Sequence, residues 1–243
     1  MSSGKAREEF YSGDEVNNKY SIFLKGKSVA LVGPSRSNKG SKQRSVIDAY
    51  DVVVRINNGV NIPDKFKDDT GKRLEVLYSS MNNCFFSGGT YSRDNILRYK
   101  KRYGLKWIVG TGHHRRNILK IVKYNKHKDT GVRARNFSKS RYKKISSKLK
   151  YKPTTGIIVI YDLLKHDISE LYITGFTFYN IMLPREKRNR YYYPGYYPGY
   201  LKHVGGVYKH DIKGEARILK SMCETDERIK VDEILSSILE QLK

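Results

Sequence analysis

Five short aliphatic runs recur along the chain: "SVALVG" (28–33), "DVVVRI" (51–56), "LEVLYSS" (74–80), "KWIVGTG" (106–112) and "ELYITGF" (170–176). Each is of strand length and ends near Gly, Asn or Asp. Between the later ones lie helix-length stretches such as "NILKIVKYNK" and "IIVIYDLLKH". Apolar runs without polar alternation are strands covered on both faces, and strands separated by helices assemble into a largely parallel sheet. At the C-terminus, "VDEILSSILEQLK" sets Val231, Ile234, Leu235, Ile238, Leu239 and Leu242 on one helical face. The expected fold is therefore α/β: a single-domain, Rossmann-like open sheet flanked by helices. Residues 1–20 read as a polar N-terminal segment and 21–243 as the one domain, with no internal repeat or linker.

Charge narrows the partners. The chain has 48 Lys and Arg against 24 Asp and Glu, a formal +24. That excess favours polyanions: nucleic acid, an anionic surface, or phosphorylated and sialylated substrates. It concentrates between Arg98 and Lys152, where 20 Lys/Arg face a single acid, Asp129. A basic stretch interleaved with tyrosines also describes a nucleic-acid binder. The sequence carries no RNA-binding signature, and a solvated basic face is the ordinary reading of such a run. "RYYYPGYYPGYLKH" (190–203) is a loop or lid with aromatic faces, because each Pro-Gly step forces a turn. No run of ~18 apolar residues is present and the start is polar. Cys84 and Cys223 read as two reduced thiols, so the expected compartment is the cytoplasm. No metal site is expected: His113 and His114 adjoin Arg115 and Arg116, and neither HExxH nor Asp-x-Asp occurs.

"VALVGPSRSNKGS" (29–41) opens a buried strand into a loop of small, polar and basic residues. Walker A needs G-x-x-x-x-G-K-[ST] and the Rossmann fingerprint needs G-x-G-x-x-G; Gly33 and Gly40 lie seven apart and position 35 is serine, so both fail. What remains is a loop at the carboxyl end of a parallel strand, where open sheets bind ligands; Gly33, Ser35 and Ser37 are its candidates. Thr154, Thr155 and Gly156 precede an apolar helix, either as a plain cap or as an anion site. Asn57 follows a buried strand, as a turn residue or a ligand contact. His210 has the side chain whose pKa suits a general base, and Glu215 follows it in H-x-x-x-x-E.

Three blocks in one order give these residues a context. "VGPSRSNKGSKQRSVIDAYDVVVRIN" resembles the large motif of glycosyltransferase family 29, the eukaryotic-type sialyltransferases. The family pattern is V-G-N-S-G-N-L-R-G-S, then I-D-S-H-D-x-V-x-R-x-N. Val32, Gly33, Ser35, Gly40, Ser41, Ile47, Asp48, Asp51, Val53, Arg55 and Asn57 match it without an insertion. "KPTTGIIVIYDLLKHDISELYITGF" is similar to the small motif, and His210 with Glu215 in "HDIKGE" to the very short one. Three departures stand out. Pro34 replaces an asparagine that contacts the nucleotide phosphate in the family, Ser28 and Ile168 replace the family's paired cysteines, and the family's Golgi anchor is expected to be missing.

The resemblance implies a GT-A-like variant of the α/β sheet and an inverting, metal-independent transfer. The donor it implies is CMP-sialic acid, or another acidic sugar carried on CMP, and the acceptor a glycan hydroxyl; no cofactor is implied. It casts His210 as the base and Glu215 as the residue orienting the helix or the histidine. It gives the third-motif place beside the donor phosphate to His203, with the tyrosines at 191–193 as the other candidates. Gly33, Ser35, Ser37, Asn57, Thr154, Thr155 and Gly156 fall to the donor nucleotide. A retired enzyme that keeps the nucleotide fold, and a basic nucleic-acid binder, are the two alternatives.

Overall fold

The computed structural model describes residues 14–61, 63–81, 92–112, 128–178 and 210–242. Seven strands form one parallel sheet: β1 (Ser28–Val32), β2 (Val52–Ile56), β3 (Val76–Ser79), β4 (Trp107–Gly110), β5 (Arg133–Asn136), β6 (Glu170–Thr174) and β7 (Ile229–Val231). Their order is β5-β4-β3-β2-β1-β6-β7, every neighbouring pair parallel. The chain thus winds outward from β1 to β5, returns to lay β6 on the other side of β1, and continues outward to β7. The strand order reverses between β1 and β6, and a sheet of this kind opens a crevice there, at its C-terminal edge.

All five strands expected from sequence are present. β5 and β7 were not expected. "RARN" hides its strand behind two arginines, and "IKV" is only three residues long.

Helices cover both faces. On one, Val29, Leu31, Val52, Val54, Val76, Tyr78 and Trp107 pack with α1 (Asp14–Leu24), α5 (Lys139–Ser146), α6 (Thr155–Leu163), α7 (Ile212–Thr225) and α8 (Glu233–Glu240). On the other, Ala30, Val32 and Val53 meet Ile47 of α2 (Arg44–Ala49), and Leu77 and Ile108 meet Ile96 and Tyr99 of α4 (Arg93–Tyr103). A short helix, α3 (Lys67–Thr70), lies between α2 and β3 in the chain. Neighbours on one strand face opposite layers, as the pleat requires.

Helix α1 crosses the boundary at residue 20: Tyr20 and Leu24 are fully buried, and the Tyr20 ring meets Trp107 edge-on at 5.0 Å between centroids. Helix α6 is apolar on every side, and all of Gly156 to Leu163 is buried. Of the C-terminal stripe, Leu235, Leu239 and Leu242 are buried, but Ile234 is 45% exposed at the edge of the face. Ser28 and Ile168 lie at the starts of β1 and β6 without cysteines. Backbone bonds join those segments instead, Gly26 N–H to Asp167 O (2.6 Å) and Ser169 N–H to Lys27 O (2.9 Å).

Candidate active site

The loop after β1 is bound tightly to the end of β6. Gly33 N–H donates to Thr174 O (2.8 Å) and Ser35 N–H to Gly175 O (3.1 Å). A Cβ at Gly33 would overlap the Gly175 carbonyl and come within 2.7 Å of Phe176 Cδ2, so only glycine fits. Ser35 is buried, and its Oγ accepts from Ser37 N–H (3.2 Å), which closes a short 3-10 turn over Arg36–Asn38. Asn38 Nδ2 donates to Thr174 Oγ1 (2.9 Å), which donates to Asp232 Oδ2 (2.8 Å). Asp232 caps α8 through Leu235 N–H (2.7 Å) and accepts from Gly175 N–H (2.9 Å). One carboxylate therefore fixes the C-terminal helix, the end of β6 and, through Thr174, the loop.

Asn57 stands at the end of β2 with φ +46°, a left-handed conformation that asparagine tolerates better than most residues. Its Oδ1 accepts from Ser80 N–H (3.0 Å), hooking the end of β2 to that of β3. Arg55, from the same motif, is buried away from the site. Its guanidinium donates to the carbonyls of Thr70 (2.6 Å), Gly71 (2.9 Å) and Arg73 (3.1 Å) and holds that turn.

A third group forms where α7 begins against the segment leading into α6. His210 Nδ1 bonds Lys152 O (2.7 Å), and Lys150 N–H donates to Asp211 Oδ2 (3.1 Å). Glu215 accepts from both Thr154 N–H (2.7 Å) and Thr154 Oγ1 (2.5 Å). Thr154 is at once the N-cap of α6, its Oγ1 accepting from Ile157 N–H (3.4 Å). The "HDIKGE" segment is thus strapped over the entry to α6, 61 residues earlier in the chain. Glu215 is buried with no cation at ion-pair distance among the described residues. Burial raises its pKa to about 8, against the pull of the two Thr154 bonds, and the nearby Asp211 adds to the rise.

Phe176 connects the groups. Its ring fills the space where a Cβ on Gly33 or on Gly156 would stand, 2.8 Å from Cε1 in the latter case. The β1 loop and the start of α6 are therefore separated by one aromatic side chain. Gly33, Ser35 and Ser37 lie at the end of β1, Asn57 at the end of β2, and His210, Glu215, Thr154, Thr155 and Gly156 at the start of α6. His203, the tyrosines at 191–193 and His113–His114 lie outside the described residues. The Asp232–Thr174–Asn38 chain was not read from sequence. Asp232 ahead of "EILSSIL" announces a helix cap, but nothing local announces its bonds to β6.

The family model for glycosyltransferase family 29 (sialyltransferase) matches residues 23–226. The chain belongs to this family. Among solved structures, this sialyltransferase-family chain is similar to a mammalian sialyltransferase in complex with Gal-beta-1-3GalNAc-ortho-nitrophenol. The TM-score is 0.57 and the identity 14%, over 95% of this chain and 78% of that one. It is also similar to the sialyltransferase CstII from Campylobacter jejuni in complex with a substrate analogue, cytidine-5'-monophosphate. There the TM-score is 0.53 and the identity 17%, over 85% and 79% of the two chains. At these identities the likeness establishes a shared fold. No curated protein sequence matches the chain. No helix among the described residues is long and apolar enough to cross a membrane.

Proposed function

We propose that this family member transfers sialic acid, or a related acidic sugar, from a CMP-sugar to a glycan hydroxyl, with inversion and without a metal. The observation that carries the reading is the bond from His210 Nδ1 to the Lys152 carbonyl. A carbonyl only accepts, so Nδ1 holds the proton and Nε2 of the neutral ring is the basic nitrogen. The acceptor oxygen then bonds the anomeric carbon as its proton passes to His210 Nε2. The bond from that carbon to the phosphate oxygen breaks, and its electron pair leaves with CMP.

Glu215 is a positioning residue, acting through Thr154 on the segment that holds His210. The first N–H groups of the nine-residue helix α6, with the Thr155 hydroxyl, are assigned to the charge that develops on the departing phosphate, and Thr154, its hydroxyl committed to Glu215, holds that turn as the cap. His203 is given a role at that phosphate on the family resemblance alone, while Gly33, Ser35, Ser37 and Asn57 are assigned to the nucleotide. Sialyltransferase-family membership and the fold shared with a CMP-bound neighbour support this assignment. We extend the proposal to a cytoplasmic location, with the basic 98–152 stretch meeting an anionic surface.

Calorimetric titration with CMP, UMP and AMP tests the reading, in wild type and in Asn57→Asp. Aspartate keeps the Oδ1 acceptor for Ser80 and tolerates the left-handed backbone, but it loses the Nδ2 donors and adds charge beside a phosphate. Selective CMP binding that weakens in the variant is expected. Equal binding of all three nucleotides, or of none, overturns the proposal.

A further inference from the structure

The backbone donors of the β1 loop are largely committed within the protein. Besides Gly33 and Ser35, Ser37 N–H bonds Ser35 Oγ, Lys39 N–H bonds Arg36 O (2.9 Å) and Ser41 N–H bonds Asn38 O (3.0 Å). Pro34 has no N–H at all. A phosphate arriving here does not meet a nest of amides, so the loop's anion chemistry falls to side chains.

Arg36 is the one suited to it. It is half-buried on the 3-10 turn, and among the described residues no carboxylate or carbonyl takes its guanidinium; its one ring contact is loose, Phe66 at 5.9 Å. The other described arginines that are not fully exposed behave differently. Arg44, Arg73, Arg135, Arg141 and Arg228 each pair with a carboxylate, and Arg55 is held by carbonyls. Arg98 and Arg133 lack both kinds of partner, but they are exposed and lie over Tyr99 and Trp107. The Arg36 backbone is held firmly, by the Ser35 cap on one side and the Asn38–Thr174–Asp232 chain on the other. A partly desolvated guanidinium on a fixed turn, without a counter-charge, matches a phosphate, which it can grip through two parallel N–H bonds.

We infer that Arg36 is the phosphate-binding residue of the donor site, gripping two non-bridging oxygens of the CMP moiety. The inference rests on the CMP-sugar reading above. As the anomeric carbon–oxygen bond breaks, the phosphate gains a negative charge and Arg36 offsets it.

The test is calorimetric titration of CMP and of cytidine, its phosphate-free counterpart, into wild type, Arg36→Lys and Arg36→Ala. The side chain makes no hydrogen bond among the described residues, so all three proteins should melt at the same temperature. Wild type should prefer CMP to cytidine. Arg36→Ala should weaken CMP binding by about 10- to 100-fold and leave cytidine binding unchanged, with Arg36→Lys between. Unchanged CMP affinity in Arg36→Ala overturns the inference alone, as does a wild type that binds cytidine and CMP equally well. A wild type that binds neither overturns the transferase reading with it.

Discussion

A buried carboxyl group sits at each end of helix α6, and the two are held in opposite ways. At the C-terminal end, Asp162 pairs with Arg135 and Arg141 (3.2 Å for the second) and accepts from Tyr78 OH (2.7 Å). Tyr20 OH bonds Tyr78 OH (3.0 Å), and the Tyr20 ring lies 4.0 Å from the Arg135 guanidinium. Burial alone would raise the pKa of Asp162, but the Arg135 charge outweighs it, with help from His166 and Tyr78, and holds the group well below the usual carboxylate range. At the N-terminal end, Glu215 bonds Thr154 alone among the described residues, and burial drives its pKa the other way. A carboxylate locked to two arginines is a rivet. A buried carboxyl group with no arginine against it among the described residues is set to respond to its surroundings.

The largest expected effect breaks the rivet. Asp162→Asn keeps the shape but leaves Arg135 buried without its counter-charge, a loss of about 3–5 kcal/mol by urea titration. A loss below ~1 kcal/mol, the scale of an ordinary surface pair, would erase the contrast between the two ends.

The next effect is in pH. Glu215 in the folded protein keeps its proton up to about 8, whereas the unfolded chain releases it near the ordinary glutamate value of 4.5. Its contribution to stability is therefore full below the lower value and is lost as pH rises toward the upper one, at up to ~1.4 kcal/mol per pH unit. Asp162 is ionised in both states across that window, and its contribution falls away only in stronger acid. Glu215→Gln should flatten the decline in stability between pH 5 and 8, and an unchanged slope would mean that Glu215 is not the group responsible. Smallest is the cap. Thr154→Val removes the cap together with the bond to buried Glu215 and should cost about 1–3 kcal/mol, and Thr154→Ser, which keeps the hydroxyl, only a few tenths.

The contrast also marks what could be read from sequence. The apolar strands and the capped, largely apolar helix α6 are local patterns, so β1 to β4, β6 and α6 were legible. β5 was not, because its Arg135 is buried only by virtue of Asp162, 27 residues on. The lone Asp in "IIVIYDLL" was the available signal, since an acid within an apolar helix needs a buried partner. At the other end, Thr154 was open between a cap and a ligand contact. It is a cap, and the carboxyl group it bonds comes from 61 residues away, which only the three-block resemblance brought into view. The β1 loop was legible as a site position. That Gly33 serves close packing on Gly175, and that the loop's amides are largely committed, required the register of β6 against β1.

The most direct test of the central claim, that the N-terminal end of α6 is the chemical end, is the transfer rate from CMP-sialic acid to a glycan acceptor in His210→Asn. Asparagine, whose Nδ2 stands where Nδ1 does, can still donate to the Lys152 carbonyl but is not a base. The account expects kcat to fall by about 10²- to 10⁴-fold while CMP affinity is unchanged. A variant that turns over at the wild-type rate would contradict it.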